Sequence, residues 1–230
     1  MRKIRADLHI HTCLSPCGDL DMTPRAIVRE ARRLGLDVIA ICDHNSSENI
    51  PYVIKIASEG GPEIIPGMEV CTEEEAHLLA LFPDLKSLSL FQDRIYEKLQ
   101  LGENDEKAFG YQVVVNEFDE VMEFNKRLLL GSVSLSLREV VSAVHELAGL
   151  AVASHVDREA FSIIGQLGFI PDDLNLDAVE ISSYFPIRKA VFQLHLSPDL
   201  PIIRSSDAHN LSQLGQSVTE FWMESGTVAE

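Results

Sequence analysis

The chain has 230 residues, of which 46% are hydrophobic and 24% charged, a balance typical of a soluble globular protein that excludes disordered, fibrous and disulfide-framework classes. Its 19 lysines and arginines stand against 36 aspartates and glutamates, so the net charge is −17. Such a surface repels nucleic-acid backbones and anionic membranes unless positive charge is supplied locally.

Short apolar runs rich in β-branched residues recur along the chain, and most are followed by a helical pattern. They predict seven strands, at residues 6–11, 38–42, 63–70, 77–82, 150–155, 178–182 and 201–206. Their continuous apolarity is typical of buried parallel strands. Strands alternating with helices predict an α/β fold close to a closed barrel, although a doubly wound open sheet also fits this pattern. A further late strand is predicted at 221–223.

Two helices carry clear start and stop signals. Thr23 and Pro24 suit the cap and the first position of a helix, and Gly35 is a natural terminator. Residues 136–139, Ser-Leu-Arg-Glu, predict a capping box, and Gly149 is expected to close the helix that follows.

Residues 84–131 fit the alternating pattern least well. Residues 85–101 and 118–130 are predicted to be helical, with a short strand at 113–115 between them. The stretch is too short for a core of its own. We therefore predict a small, mainly helical insertion that lies over the barrel within one domain.

The ends of the chain and its cysteines bear on location. No apolar stretch has the length of a signal peptide or of a membrane span. The four cysteines are too few and too scattered for a disulfide scaffold, so a reducing cytoplasm is predicted; they are Cys13, Cys17, Cys42 and Cys71.

Histidines and carboxylates gather at the ends of the predicted strands. The first run ends in His9-Ile-His11, and residues two apart in a strand point the same way. Other runs end in, or open on, the following residues: Asp43, His44, Glu69, His77, His155, Asp207 and His209. In a parallel barrel those ends form one face, where active sites are built.

The number of these side chains points to metal ions. Six of the eight histidines occupy strand ends, and burying them with carboxylates but without a cation would be costly. Histidine and carboxylate ligands suit Mn²⁺, Fe²⁺ or Zn²⁺, and so many exceed the needs of one tetrahedral site. We predict two or three divalent metal ions. His145 and His195 lie outside this pattern and are expected to be structural or exposed.

The motifs together resemble the polymerase and histidinol phosphatase (PHP) family. They are Asp-Leu-His-Ile-His-Thr at 7–12, Asp-His-Asn at 43–45, Gly-Met-Glu-Val at 67–70, His155, and Ser-Asp-Ala-His at 206–209. The resemblance implies a distorted seven-stranded TIM-like (β/α)7 barrel, a single PHP-type domain over residues 1–230. It also implies hydrolysis of phosphoesters with a two- or three-metal cluster.

The resemblance also implies roles for the individual residues. One metal would be held by His9, His11, Glu69 and Asp207, and Glu69 would bridge to a second metal held by His77 and His155. A third metal would be held by His44 and His209. The family's remaining ligand comes seven or eight residues after the first histidine, where this chain has Pro16 and Cys17. Asp19 is favoured for that role, with Cys17 as the alternative.

The implied nucleophile is a metal-bridging hydroxide held at Glu69 and Asp207, which attacks phosphorus in line with the leaving oxygen. Asp43 is expected to orient a ligand rather than to bind metal itself. Arg158, three residues after His155, is a candidate for a bidentate phosphate contact.

Three functions are compatible with these residues. The first is a metal-dependent phosphoesterase (a phosphatase or phosphodiesterase) acting on a small phosphorylated metabolite or nucleotide. The others are an amidohydrolase-type C–N hydrolase, which also carries His-x-His and a late aspartate, and a catalytically silent metal-binding regulatory module. The expected partner is a small phosphorylated substrate. A short oligonucleotide is compatible with the metals, whereas no membrane and no duplex nucleic acid are expected, because the acidic composition lacks a basic track.

Overall fold

The computed structural model describes residues 1–223. Its ten strands are β1 (Arg2–Ile10), β2 (Val38–Ile41), β3 (Glu63–Cys71), β4 (His77–Leu81), β5 (Val113–Val115), β6 (Val121–Phe124), β7 (Leu150–Ala153), β8 (Ala178–Glu180), β9 (Ile202–Ile203) and β10 (Thr219–Met223). Its six helices are α1 (Pro24–Leu34), α2 (Ile50–Ala57), α3 (Leu85–Lys98), α4 (Leu137–Glu146), α5 (Ile163–Leu167) and α6 (Ile187–Gln193). The last seven residues of the predicted domain lie outside the described residues.

Eight of the strands form one sheet in the order β10-β1-β2-β3-β4-β7-β8-β9. Its two edges meet at β9 and β10, where Arg204 N donates to Thr219 Oγ1 at 2.9 Å and Thr219 Oγ1 donates to Arg204 O at 2.8 Å. The sheet is therefore a nearly closed barrel, as expected for an α/β fold. The count differs from the predicted seven because the late strand, β10, pairs with β1 and enters the sheet.

The prediction that the seven strands are parallel is wrong for β4, which runs antiparallel to both of its neighbours, β3 and β7. The late strand, β10, runs antiparallel to β1. A tight turn at residues 72–76 joins β3 to β4, and such a hairpin reverses the chain where a helical crossover would keep its direction. Consequently the beginning of β4 lies at the same end of the barrel as the end of β3.

Alternate residues of the strands pack on the two faces of the sheet. Ile39 and Ile41 of β2 belong to the large core between the sheet and the helices, whereas Ala40 packs with Leu79 and Val152 in a smaller cluster. The start signals and the Gly35 cap are confirmed: Thr23 accepts from Ala26 N at 3.3 Å, and the capping box at Ser136 and Glu139 is formed. Gly149 is predicted to close α4, but that helix ends at Glu146 and the left-handed residue after it is Ala148. The helix α2, which the sequence pattern did not predict, packs against α1.

The insertion is less helical than predicted. The first predicted helix corresponds to α3 and the short strand to β5, but residues 118–130 contain strand β6 and turns instead of a helix. β6 pairs with β5 as an isolated antiparallel ribbon. A strand forms there because Asn116 and Glu120 form a turn, in which Asn116 N donates to Glu120 O at 3.0 Å, that folds the chain back onto β5.

The ribbon is held on the barrel by its β5 side. Val113 N donates to Cys13 O at 2.9 Å, and Asn49 Nδ2 donates to Val113 O at 3.1 Å. Val113 and Val115 pack with Cys13, and this cluster fixes the loop that follows β1. The insertion thus covers the end of the barrel where β1 ends.

Two findings bear on location. Within residues 1–223, the helices are all too short or too polar to cross a bilayer. The four cysteines are unpaired, and the cytoplasmic location stays a prediction.

Candidate metal centre

The barrel brings eight of the predicted ligands together at one end. They come from β1 and the turn after it (His9, His11), the turn after β2 (His44), β3 (Glu69), the start of β4 (His77), and the turns after β7 (His155) and β9 (Asp207, His209). His77 opens its strand and still joins the others, because β4 is antiparallel. Parallel backbone bridges join Ile10 to Ala208 and His44 to Glu69, which brings these turns into register.

Glu69 lies at the centre of the cluster, with only 1% of its side chain exposed. Its Oε1 is 3.1 Å from His77 Nδ1 and 3.3 Å from His155 Nε2, and its Oε2 is 3.1 Å from His44 Nδ1. Burial alone would raise the pKa of Glu69, but the surrounding imidazoles, first His77 and then His9, hold that pKa well below its usual range. This carboxylate is therefore ionised and surrounded by nitrogen donors.

Asp207 faces the His9–His11 pair. Its Oδ1 is 3.2 Å from His11 Nε2 and 3.4 Å from His9 Nε2, and the two Nε2 atoms are 3.1 Å apart. Burial would lower the pKa of His9, but Glu180, Glu69 and Asp207 raise it well above the ordinary value. The position between these side chains therefore favours a positive charge.

The Nδ1 atoms of His9 and His11, which point away from the cluster, each form a hydrogen bond. His9 Nδ1 donates to Glu180 Oε2 at 3.0 Å, and His11 Nδ1 donates to Ser15 Oγ at 2.9 Å. Each bond leaves an Nε2 lone pair facing the cluster, as in histidines that bind metal. The Nε2 lone pairs of His9 and His11 lie within 3.5 Å of carboxylate oxygens of Glu69 and Asp207. A divalent cation fits this set of donors, because it would neutralise the repulsion between them.

Asp43 stands behind Ser15 and outside the cluster. Its Oδ1 accepts from Ser15 Oγ at 2.6 Å and from Thr12 N at 2.7 Å. The chain of contacts runs from Asp43 through Ser15 to His11, and the positioning role of Asp43 stays a prediction.

There are three sets of residues in which one donor atom from each member lies within 4.8 Å of the donor atoms of the other two. They are His9–His11–Glu69, His44–Glu69–His77 and His11–His44–His209. In the third set, His209 Nδ1 donates to Asp207 O at 2.9 Å. Its Nε2 is thereby left free to bind an ion.

The loop after β1 places the two candidates for the remaining ligand differently. The exposed Asp19 has, among the described residues, no side-chain bond to the histidines; only its backbone nitrogen reaches His209 O, at 2.8 Å. The Cys17 thiol, by contrast, lies near enough to His209 and His44 to interact with them. Burial alone would raise the pKa of this thiol, but hydrogen bonds with His209 and then His44 lower it to about 7.

Arg158 lies beside the cluster, and its guanidinium is 2.7 Å from Asp207 Oδ2. The two residues border a cavity of about 340 Å³ whose lining is polar throughout. Its remaining lining residues are His155, Glu180, Ser182, Ser183, Tyr184, Ser205, Ser206, His209, Gln213, Gln216 and Ser217.

Two site residues escaped the sequence analysis. Glu180, which is 2% exposed, supports His9 and also accepts from His155 N at 3.3 Å. A signal was present, because Glu180 is a carboxylate in an otherwise apolar strand and ends β8. Phe161 stacks on His77, and nothing in its sequence context indicated this.

Strained backbone accompanies the cluster. His155 and Asp207 have φ values of 28° and 50°, in the left-handed region that side chains rarely adopt. Such conformations persist only where surrounding contacts impose them, and they concentrate at functional sites.

The chain is similar in sequence to known proteins. The chain is 27% identical over 186 residues to an uncharacterized protein of Methanocaldococcus jannaschii, covering 77% of this chain and 81% of that protein. It is 32% identical over 112 residues to a 5'-3' exoribonuclease of Haemophilus influenzae, covering 44% of this chain and 40% of the enzyme.

Solved structures show the same fold. The lesion-specific endonuclease Q of Pyrococcus furiosus superposes with a TM-score of 0.71 at 19% identity, over 99% of this chain and 54% of that one. This chain thus spans about half the length of endonuclease Q, which has also been solved with a 27-mer duplex bearing an abasic lesion (TM-score 0.70). A protein of Bifidobacterium adolescentis assigned as a metal-dependent phosphoesterase has a TM-score of 0.62 at 21% identity, with 93% and 92% of the two chains covered.

The sequence profile of the PHP domain matches residues 7–168. This match takes in most of the chain and includes six of the eight clustered histidines and carboxylates. The resemblance found in the motifs is therefore confirmed, and the chain belongs to the PHP domain family.

Proposed function

We propose that this protein is a metal-dependent phosphoesterase that hydrolyses a small phosphorylated molecule. The observation that carries the proposal is the buried Glu69 carboxylate, which has imidazole nitrogens of five histidines within 3.5 Å. A carboxylate surrounded in this way, with a second carboxylate at Asp207, is a donor set for more than one divalent cation. Membership of the PHP family supports the same class of reaction.

The residues fall into three groups that would hold metal ions. The first group is His9, His11, Glu69 and Asp207; the second is Glu69, His77 and His155; the third includes His44 and His209. Divalent cations, when bound there, would neutralise charge on the phosphoryl oxygens and acidify water at the site.

The chain itself would orient both the ligands and the substrate. Glu180 and Ser15 fix the ring orientations of His9 and His11, and Arg158 fixes one oxygen of Asp207. The Arg158 guanidinium, 37% exposed, also borders the cavity, so a phosphate entering there would meet its positive charge. Serine hydroxyls and glutamine amides on the cavity wall would bind a polar substrate body.

The size and charge of the site favour a small substrate. A cavity of about 340 Å³ is at the lower end of the range for small-molecule sites. The net charge of −17 opposes a long polynucleotide, which needs an extended basic surface. For these two reasons we propose a small substrate. Endonuclease Q, which shares the fold, has been solved with duplex DNA, so a duplex is included in the test.

The test is a hydrolysis screen with Mn²⁺, Fe²⁺ or Zn²⁺. The substrates are p-nitrophenyl phosphate, bis-p-nitrophenyl phosphate, nucleoside mono- and bisphosphates, a short 5'-phosphorylated RNA and a 27-mer duplex. We expect turnover of a small ester, lost in His9→Ala and Asp207→Ala. His145→Ala is the matched control, because His145 pairs with Asp177 at 2.9 Å outside the cluster. Inactivity on every phosphoester with all three metals would overturn the proposal.

The same screen separates the other candidate functions. Preferred cleavage of the RNA would favour a nuclease that acts at chain ends, an activity that the name of the Haemophilus relative suggests. Hydrolysis of N-acyl amino acids or cyclic amides, without phosphoester cleavage, would favour the amidohydrolase-type reaction. Tightly bound metal without any turnover would favour a regulatory metal-binding module.

A further inference from the structure

Three residues on the wall of the cavity beside Arg158 each carry a buried polar atom without a hydrogen-bond partner among residues 1–223. These atoms are Ser205 Oγ, Glu180 Oε1 and His155 Nδ1. Ser205 is only 4% exposed and Glu180 only 2%. Burying a polar atom without a partner is costly, and the exceptions in native proteins call for an explanation such as a bound molecule. Three of them on one cavity wall indicate a ligand site.

Glu180 and Ser205 reach this cavity from neighbouring strands. β8 and β9 run parallel, with Glu180 paired to Ile203, and Ser205 lies two residues beyond Ile203. The orientation of the Glu180 carboxylate is fixed, because its Oε2 accepts from His9 Nδ1 at 3.0 Å. Its Oε1 is therefore the oxygen that can accept a bond from a ligand.

The backbone on both sides of Ser205 is also held in place. Arg204 N donates to Thr219 Oγ1 at 2.9 Å, and Ser206 N donates to Asp7 Oδ1 at 2.9 Å. A serine fixed in this way needs only to rotate its hydroxyl in order to donate to, or accept from, a group in the cavity. The wall thus offers a carboxylate oxygen that accepts and a hydroxyl that can donate.

This combination selects among the groups that the organic part of a phosphoester carries. A second phosphate or a carboxylate has oxygens that only accept, so it cannot satisfy Glu180 Oε1. A methyl or methylene group can form neither bond. A hydroxyl satisfies both atoms, because it donates one hydrogen bond and accepts another. Arg158, on the same cavity wall, supplies positive charge for the phosphate itself.

We propose that Ser205 Oγ and Glu180 Oε1 form a subsite for a free hydroxyl near the ester of the substrate, so that the enzyme prefers phosphoesters with such a hydroxyl, as in ribonucleotides, over their deoxy counterparts. The substrate hydroxyl donates to Glu180 Oε1 and accepts from Ser205 Oγ. The inference rests on the proposed function and adds a substrate class to it. Two hydrogen bonds, one of them to a carboxylate, correspond to a preference of about 10- to 100-fold.

Substrate pairs that differ by one hydroxyl test this subsite. Adenosine 3'-monophosphate is compared with its 2'-deoxy and 2'-fluoro analogues, and glycerol 3-phosphate with propyl phosphate. Each is measured as a substrate and as a competitor of p-nitrophenyl phosphate turnover. We expect the hydroxyl-bearing member to be favoured about 10- to 100-fold in kcat/KM or in inhibition constant. The 2'-fluoro analogue should behave like the deoxy one, because fluorine cannot donate a hydrogen bond.

A serine variant ties the preference to this residue. Ser205→Ala should reduce the preference for the hydroxyl by about 5- to 10-fold, the usual effect of losing one hydrogen bond. Ser154→Ala is the matched control and should keep the wild-type preference. The Ser154 hydroxyl is equally buried and has no partner among the described residues, but Ser154 lies outside the lining of the cavity.

Thermal melts separate a substrate contact from a structural role. Because Ser205 Oγ has no partner among the described residues, Ser205→Ala should not lower the Tm of the free protein. A lower Tm together with an unchanged preference would show that the hydroxyl is structural and would overturn the subsite.

The remaining outcomes distinguish this inference from the proposed function. Equal kcat/KM and equal inhibition constants within each pair, or a preference that Ser205→Ala leaves unchanged, would overturn the hydroxyl subsite and leave the phosphoesterase intact. If no phosphoester is hydrolysed, p-nitrophenyl phosphate included, the proposed function and the subsite are both overturned.

Discussion

The half-exposed ring of Phe161 is stacked on the imidazole of His77, with centroids 4.9 Å apart and planes inclined by 23°. The two residues are also joined through the backbone, because His77 N donates to Phe161 O at 2.8 Å. Phe161 has a φ of 55°, which costs a non-glycine residue about 1–2 kcal/mol. A strained residue thus covers one face of the imidazole of His77, a proposed metal ligand.

Phe161→Ala should reduce metal affinity by about 10- to 100-fold, the usual effect of removing a group that orients a ligand. Phe161→Tyr, which keeps the ring, should restore the affinity. Phe161→Gly should bind metal as weakly as Phe161→Ala. Its free energy of unfolding should be about 1 kcal/mol higher than that of Phe161→Ala, because glycine accepts the positive φ. Metal titration and chemical denaturation measure these effects, and Phe169→Ala, an exposed phenylalanine, is the control. Unchanged affinity in Phe161→Ala would show that the stacking does not orient His77.

Glu180→Ala should weaken metal binding and activity together. Its carboxylate holds the His9 ring at Nδ1 and the backbone of His155 at N, so its loss releases the ring of one proposed ligand and the turn that carries another. We expect about a 10- to 100-fold lower metal affinity, with a smaller loss in Glu180→Gln, whose amide oxygen can still accept both bonds. Calorimetric metal titration checks this. Wild-type affinity in the alanine variant would contradict the supporting role.

Arg158→Ala separates two roles for one guanidinium. If Arg158 orients Asp207, metal affinity should fall and Arg158→Lys should recover little, because a lysine lacks the planar fork. If Arg158 also binds the phosphate, KM measured at saturating metal should rise as well. We expect both effects, with kcat/KM lowered about 10- to 100-fold. Arg138→Ala, which breaks an exposed pair with Asp173 at 2.9 Å, should change neither quantity.

Metal binding should stabilise the fold. Zn²⁺ or Mn²⁺ at about 100 times its dissociation constant should add about 2.7 kcal/mol to the free energy of unfolding, and a chelator should remove this gain. Glu69→Gln should abolish most of the metal-dependent shift in Tm, whereas Glu73→Gln on the exposed loop should keep it. A Tm that does not respond to metal in the wild-type protein would argue against ion binding by the cluster.

The capping box of α4 gives a pH prediction outside the site. Ser136→Ala should lower the free energy of unfolding by about 1 kcal/mol. The hydrogen bond from the Ser136 side chain, followed by that from its backbone, lowers the pKa of Glu139 below the ordinary 4.5. The folded-state pKa therefore lies below the unfolded value, so this stabilisation is present above the unfolded pKa and is lost as pH falls through the folded one. Thermal melts of Glu139→Gln should lack this part of the acid dependence, and an identical dependence in both proteins would refute it.

The sequence by itself determined the residue types at the strand ends and most of the elements. A run such as residues 38–42 is apolar throughout, and a pair such as His9 and His11 points one way whatever the tertiary fold, because these are properties of an extended chain. The capping box at Ser136 is local in the same sense. These local patterns were enough for the α/β class, the clustered ligands and the family.

The tertiary structure decided everything that depends on which strands meet. No local pattern distinguishes an antiparallel β4 from a parallel one, because a buried strand is apolar in either direction. Only the pairing of β4 with β3 and β7 shows why His77 faces Glu69 from the start of its strand. Phe161 reaches His77 only after the chain has closed around the barrel, and Glu180 reaches His9 across 171 positions in sequence. The path of the loop that carries Cys17 and Asp19 likewise depends on its packing against the insertion, because loop geometry is set by contacts that lie far apart in the sequence.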